Sequence, residues 1–195
     1  MKTGKAYANK NSAVNRPEGD FYPTPRSLVW TAQQHIQREF PKKESILEPC
    51  FGDGSISEPL EAIGYQVEKN DLFRGGVDYL TTPFSQRYVI TNPPFSLWDE
   101  FVQKAKRESL KVLCIGRLNY FGTASRSQSG IWNHLEYVLP FNRYVDYRTP
   151  NRHDGLFHVG AMATAWFLWN MDFTGLPSIE VLDVQPWAKL GNKKD

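Results

Sequence analysis

Apolar residues first recur at helical spacing over Leu28, Val29, Ala32, Ile36 and Phe40, which predicts an amphipathic helix ended by Pro41. Pro25 suits the first helical position of that segment. Residues 45–50 read as a short strand, followed by Gly52 and Gly54 and then a helix through Ile56, Leu60 and Ile63 to Gly64. Residues 65–71 read as the next strand and residues 77–80 as a short third one. Tyr88 to Thr91 is apolar and β-branched, so it predicts a buried strand that stops before Pro93-Pro94. Residues 97–109 follow as a helix and residues 111–116 as another buried strand.

After Arg117 the pattern changes. Residues 121–130 are rich in Gly, Ser and Thr and read as a loop, and residues 143–160 are polar and turn-prone. Residues 161–169 and 179–184 read as the last two strands, close enough to form an antiparallel hairpin around Asp172 to Pro177. Alternating strands and helices predict an α/β fold, a mostly parallel sheet covered on both faces. The expected organisation is a disordered polar tail over 1–19, one domain over 20–186 and a polar tail over 187–195.

Composition narrows this picture modestly. The 195 residues are 41% hydrophobic, enough for one core. The net charge of +2 does not by itself demand a nucleic-acid partner. Cys50 and Cys114 fall at or near the ends of expected buried strands, which suits a reduced, cytoplasmic protein better than a disulfide framework. No apolar run approaches the roughly 20 residues of a membrane span. His153 and His158 are too isolated to argue for a metal, so none is expected.

The segment Glu48-Pro49-Cys50-Phe51-Gly52-Asp53-Gly54 is a strand running into a tight turn. Glycines there let a ligand lie against the backbone at the carboxyl end of the strand, where open α/β sheets bind ligands. Asp71 closes the second strand about twenty residues later, the spacing at which an acid accepts both ribose hydroxyls. Together these features fit a cofactor containing adenosine. A dinucleotide fingerprint has a third glycine where this chain has Ser57.

Asn92-Pro93-Pro94-Phe95 ends the buried strand before it. Two prolines fix the backbone and remove two N–H donors. The Pro93 carbonyl is then held rigidly near the Asn92 side chain, and both can accept hydrogen bonds from one amino group. Phe95 offers a flat face to a planar base. An exocyclic amine is a poor nucleophile because its lone pair is delocalised into the ring. Two acceptors shift it toward tetrahedral geometry, which suits attack on the methyl of a sulfonium without a strong base.

On these motifs the chain resembles the S-adenosylmethionine-dependent DNA adenine (N6) amino-methyltransferases, in particular small phage-type enzymes with the gamma motif order. The resemblance spans about 21–169, with its specific motifs within 21–95. It implies a Rossmann-like class I methyltransferase fold, a seven-stranded sheet ending in an antiparallel hairpin, in the cytoplasm of a bacterial host. It implies that Phe21-Tyr22-Pro23-Thr24-Pro25 closes over the cofactor's methionine part. Glu48, Pro49, Cys50, Phe51, Gly52 and Gly54 form the first cofactor motif. Asp71 holds the ribose and Leu72 the adenine, with Asp78 and Tyr79 at the adenine amino group. Asn92 to Phe95 matches the catalytic tetrapeptide, with Asn92 also beside the cofactor.

The partner implied is DNA, presenting a flipped or single-stranded adenine. Arg117, Asn119, Arg126, Arg143, Arg148 and Arg152 are the expected nucleic-acid contacts. Only about twenty residues separate Asp71 from Asn92, so no recognition domain is inserted there. That departure implies a promiscuous enzyme or a very short site. Related Asn-Pro-Pro motifs act on RNA bases or on a protein glutamine amide. A non-enzymatic cofactor-binding protein, such as a phage counter-defence factor, is the third reading.

Overall fold

The structure, a computed structural model, describes residues 23–145, 147 and 162–184. The two expected tails, Phe21, Tyr22, Arg148, Arg152, His153 and His158 lie outside the described residues. Seven strands form one sheet: β1 (Ser45–Glu48), β2 (Gln66–Lys69), β3 (Tyr88–Thr91), β4 (Lys111–Arg117), β5 (Leu135–Pro140), β6 (Thr164–Asn170) and β7 (Ser178–Ile179). Their order across the sheet is β2-β1-β3-β4-β6-β5-β7. The pairs β1–β2, β1–β3, β3–β4 and β5–β7 are parallel, and β6 runs against both β4 and β5. The helices are α1 (Ser27–Thr31), α2 (Gln33–Glu39), α3 (Ser57–Ala62), α4 (Trp98–Glu108) and α5 (Ala124–Gln128). None of the described helices is long and apolar enough to cross a membrane.

The seven-stranded, mostly parallel sheet agrees with the sequence, but three elements reach it differently. The expected helix over 28–40 breaks at Ala32 (φ −90°, ψ 1°) into α1 and α2. One residue earlier the Thr31 hydroxyl donates back to the Leu28 carbonyl at 2.8 Å, a bond that bends helices. The expected strand over 77–80 is a turn. Its Asp78 carboxylate accepts from the Leu80 N–H at 2.9 Å, and its carbonyl accepts from the Thr81 and Thr82 N–H groups. An aspartate that bonds its own backbone two residues on competes with a ladder and wins here.

The last strands also pair differently. β6 is flanked on both edges by β4 and β5, so β7 cannot form a hairpin with it and adds in parallel to β5 instead. β5 is a strand the pattern reading leaves out. Its apolar Tyr137-Val138-Leu139 core is short and bounded by Glu136 and Pro140. The expected loop over 121–130 contains α5, preceded by a 3-10 turn over Leu118–Gly122.

β3, β4 and β6 are buried throughout their central residues, as strands covered on both faces should be. Behind them lies an aromatic cluster. The Trp132 and Trp169 rings stack nearly parallel (6.4 Å, 11°), and Trp98 sits 5.9 Å from each. Each buried indole spends its N–H on a backbone carbonyl: Trp98 on Ile115, Trp166 on Leu28 and Trp169 on Ile131. Trp166 and Trp169 are thus core residues.

Gly116 is what lets α4 reach the sheet. A Cβ there would stand 2.8 Å from the Trp98 indole. The indole is pinned by its own hydrogen bond, so it cannot swing clear. Gly116→Ala should therefore cost about 1–3 kcal/mol of overpacking. The check is a lowered urea midpoint by tryptophan fluorescence. An unchanged midpoint would show that the indole shifts at no cost.

Candidate functional site

A cleft of about 770 Å³ opens where β1, β2 and β3 end. Carboxyl ends of adjacent parallel strands are where α/β sheets form such a crevice. The β1 strand delivers Glu48, and the chain then turns through Gly52 (φ 54°) and Gly54 (φ 84°) into α3. Both angles lie in the left-handed region that favours glycine. At Gly54 a Cβ would also meet the Glu58 carboxylate at 2.8 Å.

The turn is tied to the neighbouring strand. Asp71 accepts from the Gly52 N–H at 3.0 Å with one oxygen and from the Phe73 N–H at 2.9 Å with the other. The Asn70 side chain clamps the following loop, accepting from the Val77 N–H and donating to the Val77 carbonyl, both at 2.9 Å. Gly76 is needed for this closure, because a Cβ there would approach the Asn70 Oδ1 to 2.5 Å.

Glu48 lies at the floor. Its side chain is 1% exposed, yet its Oε2 finds no hydrogen-bond partner among the described residues. Burial pushes its carboxyl up to about 8, against the pull of Ser57 and Lys69. The half-buried Cys50 thiol is likewise pushed up, first by burial and then by Asp71. It is held as a thiol and not as a nucleophile.

On the opposite wall β3 ends in Asn92-Pro93-Pro94-Phe95. The Asn92 Nδ2 donates to the Thr24 hydroxyl at 3.0 Å, which orients the amide. Tyr120 donates to the Phe95 carbonyl at 3.4 Å, and the buried Tyr147 meets the Phe95 ring edge-on at 5.8 Å. Tyr79 is buried and stacks on Phe101 at 5.1 Å.

Of the sequence-chosen residues, Thr24, Glu48, Pro49, Cys50, Phe51, Asp71, Leu72, Asp78, Tyr79 and the whole tetrapeptide line this one cleft. Gly52 and Gly54 shape it from the turn without lining it, and Pro25 is buried behind it. Sequence reasoning missed Asp53 and Ser55, which also line it. Their position inside the glycine turn was the available signal. Arg74, 5.9 Å over the Phe51 ring, and the 68% exposed Phe73 line it as well.

The expected nucleic-acid contacts separate. Arg126 bonds Asp99 at 2.6 Å and lies 4.1 Å over the Tyr120 ring, so it fastens α5 to α4. Asn119 and Arg143 are exposed. Arg117 lies 4.9 Å over the Phe95 ring. Among the described residues no cluster of His, Cys, Asp and Glu could hold a metal ion.

No protein-family model and no curated protein sequence matches the chain. Solved structures do. A Listeria monocytogenes protein described as a class I S-adenosylmethionine-dependent methyltransferase superposes with a TM-score of 0.53 at 16% identity, over 89% of this chain and 68% of that one. A Pyrococcus horikoshii protein described as an RNA methyltransferase gives 0.59 at 15% identity, over 80% and 90%. A Vibrio vulnificus protein described as the modification subunit of a type I restriction enzyme gives 0.53 at 13%, over 88% of this chain but 48% of that one. The fold is the Rossmann-like one of class I methyltransferases. Likeness at these identities establishes architecture, and chemistry has to be argued from the site.

Glu48 makes the empty-cleft protein sensitive to pH. In the unfolded chain its carboxyl titrates near 4.5, in the fold near 8. Between those values the folded state holds a proton the unfolded state lacks, so stability falls as pH rises. Glu48→Gln cannot titrate. Its melting temperature relative to the parent should climb steadily from pH 5 to pH 8. Parallel melting curves across that range would remove the buried-acid assignment.

Proposed function

We propose that this protein is an S-adenosylmethionine-dependent methyltransferase acting on the exocyclic amino group of adenine in DNA. The observation that carries the reading is the shared cleft. The turn after β1 with its acid and the Asn-Pro-Pro-Phe tetrapeptide border one cavity from neighbouring parallel strand ends. Either motif alone is an ordinary turn.

The residues fit the cofactor. The turn at Gly52 and Gly54 leaves a cradle without side chains, and Asp71 retains a second lone pair on each oxygen for ribose hydroxyls. Glu48 carries a buried carboxyl oxygen with no partner among the described residues, suited to an ammonium group. Leu72 and Tyr79 supply apolar surface, and Asp78 an acceptor, for the adenine. When bound, S-adenosylmethionine supplies an electrophilic methyl group. Asn92, oriented by Thr24, and the rigid Pro93 carbonyl accept hydrogen bonds from the acceptor amine and localise its lone pair. Phe95 takes the plane of the base. The surplus proton leaves the methylated amine to water.

Two of the structural neighbours are described as an RNA methyltransferase and as the modification subunit of a type I restriction enzyme. The preference for DNA rests on the Phe21-to-Pro25 resemblance. The absence of an inserted domain between Asp71 and Asn92 supports a short or relaxed target site.

Labelled cofactor offered with DNA, RNA and a release factor separately should mark DNA, recovered as N6-methyladenine. Label confined to RNA or protein would overturn the acceptor. Asn92→Ala should lose on the order of 10²–10³-fold in turnover while cofactor affinity by calorimetry stays within a few fold. Full turnover in that variant would remove Asn92 from the chemistry.

A further inference from the structure

Phe95 is assigned to stack on a base, yet the residue is only 8% exposed. Something must leave its face before a base can lie there. Tyr147 is a poor candidate. It is buried, meets the ring by its edge and shares a hydrogen bond with the Thr164 hydroxyl at 3.0 Å. Arg117 is different. It is the last residue of β4, and its guanidinium lies over the ring at 4.9 Å. A guanidinium is planar and stacks as a base does.

Comparison with Arg126 shows which arginine is built to move. Both stack on an aromatic ring at this end of the sheet. Arg126 has its charge paired with Asp99 at 2.6 Å and a further bond to the Thr123 hydroxyl at 3.1 Å. Arg117 has a buried Nε with no hydrogen-bond partner among the described residues. A buried donor on a charged group that stays unsatisfied is destabilising, and an anionic oxygen relieves it.

We propose that Arg117 selects the acceptor: it covers Phe95 in the free protein and moves to a backbone phosphate when a base takes its place. This rests on the reading of the cleft as a methyltransferase site for nucleic acid. It adds that the acceptor must bring its own anion. A nucleotide within a strand does so, whereas a glutamine amide or a free nucleoside does not. Exchange of one planar group for another also keeps the Phe95 face dry between turnovers.

The test uses nitrogen–proton spectra of the full chain with an adenine-containing single-stranded oligonucleotide. The Arg117 Nε–H signal, assigned by its absence in Arg117→Lys, should lie upfield from ring-current shielding in the free protein. Saturating oligonucleotide should move it downfield, and adenosine alone should not. Arg117→Gln should lower oligonucleotide affinity on the order of tenfold and reduce the salt slope by about one. Arg117→Lys keeps the charge and should keep that slope, which separates lost charge from lost folding.

If the parent protein binds the oligonucleotide while the signal stays upfield, or Arg117→Gln keeps the parent slope, Arg117 is a structural cover and the proposal is overturned alone. If the parent binds the cofactor but no oligonucleotide, the nucleic-acid reading fails and takes this one with it.

Discussion

The cleft depends on one carboxylate. Asp71 bonds the Gly52 N–H from the first strand end and the Phe73 N–H from its own, so a single side chain holds two loops at fixed separation. Parallel strands meet their neighbours only through ladder bonds, and those stop where β1 and β2 stop, at Glu48 and Lys69. Beyond that point only two backbone bonds continue between the segments, from the Asn70 N–H to the Glu48 carbonyl at 3.0 Å and from the Phe51 N–H to the Asn70 carbonyl at 3.2 Å, and the loops that follow need side chains to space them. Asp71 on one side and the Asn70 clamp on Val77 on the other supply that spacing. The residue proposed for the cofactor's ribose therefore also helps to keep room for it.

A consequence is that the cleft is costly where the sheet is strong. Glu48 stands on a buried strand with one oxygen unpartnered, and burial favours its protonated form. Apolar packing would be the cheaper choice at that position. A buried polar group retained against its desolvation cost marks a place where the fold yields to binding. The aromatic cluster behind β4 and β6 supplies the compensation, since Trp98 and Trp169 within it are both packed and hydrogen-bonded.

Most of the site was legible because its chemistry is local in sequence. Glu48 to Gly54 is one turn and Asn92 to Phe95 is one strand end, and each carries its backbone instructions in glycines and prolines. What escaped was settled by distance. The turn at Asp78 was read as a strand because Val77, Tyr79 and Leu80 are apolar, while the deciding bonds come from Asn70 and from Asp78 itself. β7 lies beside β5 and not β6 because β6 already has two neighbours, a fact of sheet order that no local pattern contains. Loop position groups Arg126 with the expected nucleic-acid contacts, and its pairing with Asp99, 27 residues away in sequence, is likewise visible only in the fold.

The same long-range bookkeeping divides the cleft into a fixed half and a movable half. Around the glycine turn and Asp71 the backbone is cross-bonded, which suits a ligand that every turnover must find in one pose. Around Phe95 the holding energy is smaller. A cation over an aromatic ring contributes about 0.5–2 kcal/mol. A buried donor without a partner costs about 1–3 kcal/mol. At Arg117 the two opposing quantities are of comparable size, which is what the proposed exchange with a base requires. Such a balance is a poor way to build a core and suits a cover that an acceptor can displace.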